Sequence, residues 1–179
     1  MKILKGILIV IGSLIALALI VALFVPKDYT IDRSITIDKP VAEVFGYVKY
    51  LKNQDEFSKW ANMDPAMTKS YTGTDGQPGY ISAWESKDDD VGKGEQEILK
   101  ITEGSRIDYE LRFIEPFEST SLAYLETDGV SINQTKVTWS FSGHMKYPMN
   151  LMLLFMDFEK MIGEDLDTGL ANLKERMEQ

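Results

Sequence analysis

The sequence predicts an α+β chain: a curled antiparallel sheet wrapped around a long C-terminal helix, preceded by one transmembrane helix. Three observations carry that prediction. From Pro148 to Gln179, Met152, Phe155, Phe158, Ile162, Leu166, Leu170, Leu173 and Met177 recur at intervals of three or four residues, the period of one helix with a single buried stripe. Ahead of it, short runs alternate apolar and polar side chains between turn residues, the period of strands. Gly6 to Val25 is a run of twenty residues without a charge.

That run, GILIVIGSLIALALIVALFV, spans roughly 30 Å as a helix, the hydrocarbon thickness of a bilayer. A cleaved signal peptide is the competing reading. Its apolar region is normally shorter and ends at a small-x-small site, which Ala22-Leu23-Phe24-Val25-Pro26 does not supply. Residues 1–27 are therefore expected to be an uncleaved anchor and 28–179 a folded domain. Lys2 and Lys5 precede the span, while Lys27 after it is offset by Asp28. The positive-inside rule then predicts a cytoplasmic N-terminus and a domain on the outer, periplasmic or extracytoplasmic, side.

Tyr29, Ile31, Arg33, Ile35 and Ile37 alternate with polar residues and predict a half-buried first strand. Asp38-Lys39-Pro40 opens a helix whose buried face is Val41, Val44, Phe45 and Val48, and a second short helical piece is expected around Asn53 to Trp60. Strands are predicted over Met67–Gly73, Tyr80–Ser86, Glu95–Thr102, Arg106–Ile114, Ser119–Thr127 and Lys136–His144. Turn-rich segments such as Thr74–Gly79 and the acidic Lys87–Gly92 separate them. Gly163 and Gly169 fall inside the predicted C-terminal helix, where each costs roughly 1 kcal/mol relative to Ala. Close approach of helix to sheet explains them; a kink at Gly163 is the alternative.

The chain of 179 residues carries a net charge of −9. Lys2, Lys5 and Lys27 are the only basic residues before Asp28, and none of the 28 acidic residues precedes it, so the remainder carries −12. A domain that acidic is a poor binder of phosphate backbones, and no nucleic-acid partner is expected. With no cysteine, disulfides, thiolate metal sites and a cysteine nucleophile are excluded. With a single histidine, a His-rich metal site or a Ser-His-Asp triad is hard to build. Asp88-Asp89-Asp90 lacks the spacing of an EF-hand loop, and Gly92-Lys93-Gly94 lacks the rest of a phosphate loop. No metal and no cofactor are expected.

The element order, together with the stretches WANMDPAMTKSYTG (60–73), YISAWES (80–86), GKGEQEI (92–98), YELRFIEPFEST (109–120), TKVTWSFSG (135–143) and MDFEKMIGEDLDTGLANLK (156–174), resembles the START-like SRPBCC superfamily. The resemblance is to its polyketide cyclase/dehydrase and lipid transport branch in particular, and it extends from Tyr29 onward. It implies a helix-grip fold with a deep apolar cavity between sheet and helix. Members of that superfamily include lipid carriers, hydrophobic-ligand receptors and cyclases.

The candidate cavity residues are the large apolar side chains Trp60, Tyr71, Trp84, Tyr109, Phe113 and Trp139, since such pockets are apolar with a few placed polar groups. Ordinary core packing is the alternative for each. Met152, Phe155 and Met156 join them, because from Met149 to Met156 only Asn150 is polar. A helix start apolar all round must be covered by protein, ligand or lipid, and methionines adapt to irregular partners. The expected function is membrane-anchored binding of a small hydrophobic or amphipathic ligand, lipid-like or polyketide-like. A cyclase- or dehydratase-type enzyme is the alternative and needs a buried acid or base, for which Glu85, Glu97 and His144 are the candidates. A ligand-free interaction module docking a protein through Met149–Met156 is the third reading.

Overall fold

The computed structural model describes residues 2–179; Met1, the first residue of the predicted anchor, lies outside the described residues. Helix α1 (Lys2–Ala22) meets the rest at its C-terminal end, where Ala22 is buried, and its side chains are exposed from Ile3 to Val21. One N-terminal helix is thus long and apolar enough to span a membrane, with a mean hydropathy of 2.7 over Ile3–Ala22. Strand β1 (Asp28–Ile37) follows after five residues, then α2 (Val41–Val48) and the short α3 (Gln54–Phe57) between single 3₁₀ turns. The sheet continues through β2 (Thr68–Thr72), β3 (Ile81–Glu85), β4 (Lys93–Thr102), β5 (Arg106–Glu115), β6 (Ser119–Ser131) and β7 (Gln134–His144). A 3₁₀ helix (Met149–Leu154) leads to the closing helix α4 (Phe158–Glu178).

All seven strands form one antiparallel sheet in the order β1-β7-β6-β5-β4-β3-β2. Each hairpin partner is its chain neighbour, and β1 closes on β7 with Arg33 opposite Trp139 and Ile35 opposite Val137. The alternation seen in the sequence sets the faces. Ile31, Tyr109, Leu125, Val137 and Trp139 point to the concave side and are buried. Against them α4 presents Leu166, Leu170 and Leu173, each at most 1% exposed. Val44 and Val48 of α2 and Phe57 of α3 close the same core, all fully buried.

Two contacts hold α4 against the sheet at backbone distance, as its glycines lead one to expect. A Cβ on Gly169 would stand 2.7 Å from Cζ3 of Trp139, and one on Gly163 would stand 2.2 Å from Nη2 of Arg33. Arg33 wraps the helix there: Nη2 donates to the Glu159 carbonyl at 3.2 Å and Nε to Asp167 at 3.3 Å. From the other side, the Asn172 amide donates to the Phe57 carbonyl at 3.1 Å, and Lys59 pairs with Asp165.

The predicted single helix from Pro148 to Gln179 is corrected to a 3₁₀ helix and an α-helix. The break comes at Asp157, whose Oδ1 accepts from the Lys160 N–H at 2.9 Å and caps α4. The apolar spacing runs unchanged through this break, so periodicity alone could not reveal it.

Candidate functional site

The concave face changes character along its length. Around Trp139 it is closed: Phe57 meets that ring edge-on at 5.7 Å and Trp60 at 6.0 Å, with Gly169 beneath. Trp60, itself half-buried, borders the closed part, and toward the end where β1 begins and β7 stops Trp84, Leu111, Phe113 and Phe141 stay half-buried. The register places them side by side, with Phe113 opposite Gly94 and Gly94 opposite Trp84. Gly94 is needed there, because a Cβ would lie 2.5 Å from the Trp84 ring. Trp84 packs edge-on against Phe113 at 5.9 Å and donates its indole N–H to the Val91 carbonyl at 3.3 Å.

Polar groups border this apolar surface. Tyr109, one pleat deeper than Leu111, is fully buried, its hydroxyl beside the buried Gln54 side chain, and neither that hydroxyl nor Gln54 Nε2 makes a well-aligned hydrogen bond. Gln96 donates to Oε1 of Gln54 at 3.4 Å. Burial pushes the Tyr109 phenol well above its ordinary value. At the sheet's far edge Tyr71 donates to Asp55 at 2.6 Å and stacks on Tyr80 at 6.4 Å, while Lys69 holds the other Asp55 oxygen at 2.8 Å. Burial, then the Asp55 carboxylate, raises the Tyr71 phenol; burial, then Asp75 and Asp55, lifts Tyr80 to about 12.

A second opening lies at the sheet's other edge. Tyr29 and Ile31 of β1, Val25 and Pro26 before it, and residues 153–159 line an open groove of about 620 Å³. Tyr29 forms its floor, lying across Gly143 and packing on Phe158 at 5.6 Å.

The predicted cavity residues divide between these places. Trp60, Trp84, Tyr109, Phe113 and Trp139 share the concave face, Tyr109 and Trp139 as closed core and the other three as half-exposed surface. Tyr71 sits at the rim. Phe155 and Met156 line the groove, Phe155 being 84% exposed, and Met152 is half-buried in the 3₁₀ helix.

The acid–base candidates lie on the outer face of the sheet or at its end. Glu97 pairs with Arg112 at 2.8 Å, Glu85 with Lys93 at 3.2 Å, and His144 Nδ1 sits 2.6 Å from Asp28. An acid or base for a ligand on the concave face has to come from another residue. Arg112 also holds Glu95 and Glu110, and these three carboxylates raise its guanidinium pKa above the ordinary value.

Sequence reasoning missed Gln54, Gln96, Leu111 and Phe141 as neighbours of the site. The alternation of β5 did put Leu111 on one face with Tyr109 and Phe113, whereas nothing local distinguishes Gln54 from a surface glutamine.

A curved sheet gripping a C-terminal helix, with an apolar concave face open at one end, defines a START-like helix-grip protein. The family model for polyketide cyclase / dehydrase and lipid transport matches residues 29–178, and the chain belongs to that family, within the SRPBCC superfamily. No curated protein matches the sequence. Among solved structures, one from Thermobifida fusca is similar with 21% identity and a TM-score of 0.55, covering 83% of this chain and 92% of its own. A norcoclaurine synthase point mutant from Thalictrum flavum, in complex with a transition-state analogue, gives 9% identity and a TM-score of 0.60, covering 83% and 96%. The di-domain ARO/CYC BexL from the BE-7585A biosynthetic pathway gives 12% and 0.59, covering 85% of this chain and 50% of that one. At these identities the likeness speaks to the fold alone.

Proposed function

We propose that this chain is a membrane-anchored binder of a small hydrophobic or amphipathic ligand, with α1 as an uncleaved anchor and the domain on the outer side. The observation that carries the binding reading is the open half of the concave face. Trp60, Trp84, Leu111, Phe113 and Phe141 come from four separate elements and remain half exposed on a surface whose other half is tightly closed. Apolar ligand surface laid on them leaves water at roughly 25 cal/mol per Å². The Tyr109 hydroxyl and the Gln54 amide beside it place two polar groups at the inner border.

The test is native mass spectrometry, with organic extraction, on a fragment spanning residues 28–179. A co-purifying lipid or apolar metabolite, lost on Leu111→Arg, is the expected result. An unliganded mass that does not change after incubation with membrane lipids overturns the reading.

A further inference from the structure

The domain is not merely tethered to α1 but hydrogen-bonded to its last turn. Asn150 is fully buried, and its side-chain amide donates to the carbonyls of Ala22 at 2.7 Å and Val25 at 3.0 Å. Tyr147 donates its hydroxyl to the Leu19 carbonyl at 3.3 Å. The last four carbonyls of a helix lack partners of their own, and in lipid such groups are expensive to leave bare. Here residues of the domain supply the donors. Leu19 lies inside the apolar span Ile3–Ala22, about 4.5 Å below its end at the helical rise. Tyr147, just ahead of the 3₁₀ helix, therefore reaches the last turn of that span, and Asn150 within the 3₁₀ helix meets its final residue.

Its neighbours in space are apolar and uncovered. Met149, Leu154 and Phe155 are 57%, 55% and 84% exposed, and Leu23 and Phe24 beside the joint are 66% and 83% exposed. Strand register adds Phe117: the turn between β5 and β6 lies at the end of the sheet where β1 starts, and Phe117 is 82% exposed. The opposite end bears Val130 and Ile132 at the tip of the β6–β7 hairpin.

We infer that Met149–Met156 inserts into the leaflet that α1 leaves, so that this segment is a second, interfacial membrane contact and the groove beside Tyr29 opens onto acyl chains. The inference rests on the anchored reading above and names the leaflet as the surface this end of the domain meets. The driving force is apolar burial. Asp28, Asp157 and Glu159 rim the groove and the domain carries −12, so anionic lipid repels it and added salt does not release it. The half-exposed Trp84 and Phe113 lie toward the same end of the sheet, which puts the proposed ligand surface within reach of that leaflet.

The chain has no cysteine, so single-cysteine variants give one label each. The full chain, reconstituted in phosphatidylcholine vesicles, carries a nitroxide at Leu14→Cys, Leu154→Cys, Phe155→Cys or Ile132→Cys. Collision with oxygen against a water-soluble nickel chelate reads depth. The expected result is an oxygen-to-nickel ratio at 154 and 155 severalfold above that at 132 and approaching that at 14, unchanged by high salt. Positions 154 and 155 reading like 132 while 14 reads as lipid overturns the insertion and leaves the anchor standing. Position 14 reading as water overturns the anchor, and the insertion with it. Phe155 is too exposed for its replacement to unfold the domain, and Leu154 gives an independent second reading.

Discussion

The two halves of the sheet–helix interface use one sheet and one helix to opposite ends. In the half near α2, Leu166, Leu170, Leu173, Phe57 and Trp139 interlock, and glycine lets the helix backbone come within reach of an indole. In the half near the end of α1, α4 has only begun, Phe158 and Ile162 are half-buried, and the facing strands keep Leu111, Phe113 and Phe141 partly wet. The difference teaches where stability and binding are separated. A core packed to crystal density has no room for a guest, whereas a surface left half-solvated keeps favourable burial in reserve for one.

The strongest way to break the comparison is Leu170→Ala in the closed half. It should cost about 2–5 kcal/mol of unfolding free energy by denaturant titration, because rigid neighbours cannot refill the space. An effect no larger than that of Leu111→Ala would mean that the two halves are packed alike. Gly169→Val should cost about 1–3 kcal/mol or more, since the added carbons meet the Trp139 ring, and the shift should appear in tryptophan emission. In the open half, Phe113→Ala should weaken hydrophobic-ligand binding by about 1 kcal/mol, roughly fivefold in Kd, while the denaturant midpoint moves less than for Leu170→Ala.

The smallest expected effect is alkaline. The phenols of Tyr71, Tyr80 and Tyr109 are held above their ordinary value of about 10, chiefly by burial. Folding favours their neutral form, so their stabilisation is complete below pH about 10 and is lost as pH rises through the folded-state values. Phenolate absorbance should lag behind that of the exposed tyrosines, with Tyr80 titrating near pH 12 or on unfolding.

Most of the fold was legible because alternation and helical spacing are written locally. Tyr109 shares a face with Ile107, Leu111 and Phe113, and Trp139 with Val137 and Phe141, because strand alternation admits only two faces. What stayed hidden was set by contacts distant in sequence. The capping at Asp157 splits a helix whose apolar spacing never falters. Asn150, a lone polar residue in an apolar run, was a visible signal, yet its partners lie about 125 residues away at Ala22 and Val25. Likewise Glu97 looks like any strand carboxylate until Arg112 is found beside it.

Only Leu23 to Lys27 separate the end of α1 from β1, and Asn150 pins Val25 among them and Ala22 just before them. Fully stretched, five residues cover at most about 18 Å. On the anchored reading the domain is a fixture with no leash. It cannot swing out to search the space beyond its membrane, so whatever donates or receives its ligand has to come to the bilayer surface or already reside there. Encounters then become a two-dimensional problem, governed by lateral diffusion and surface density instead of bulk concentration.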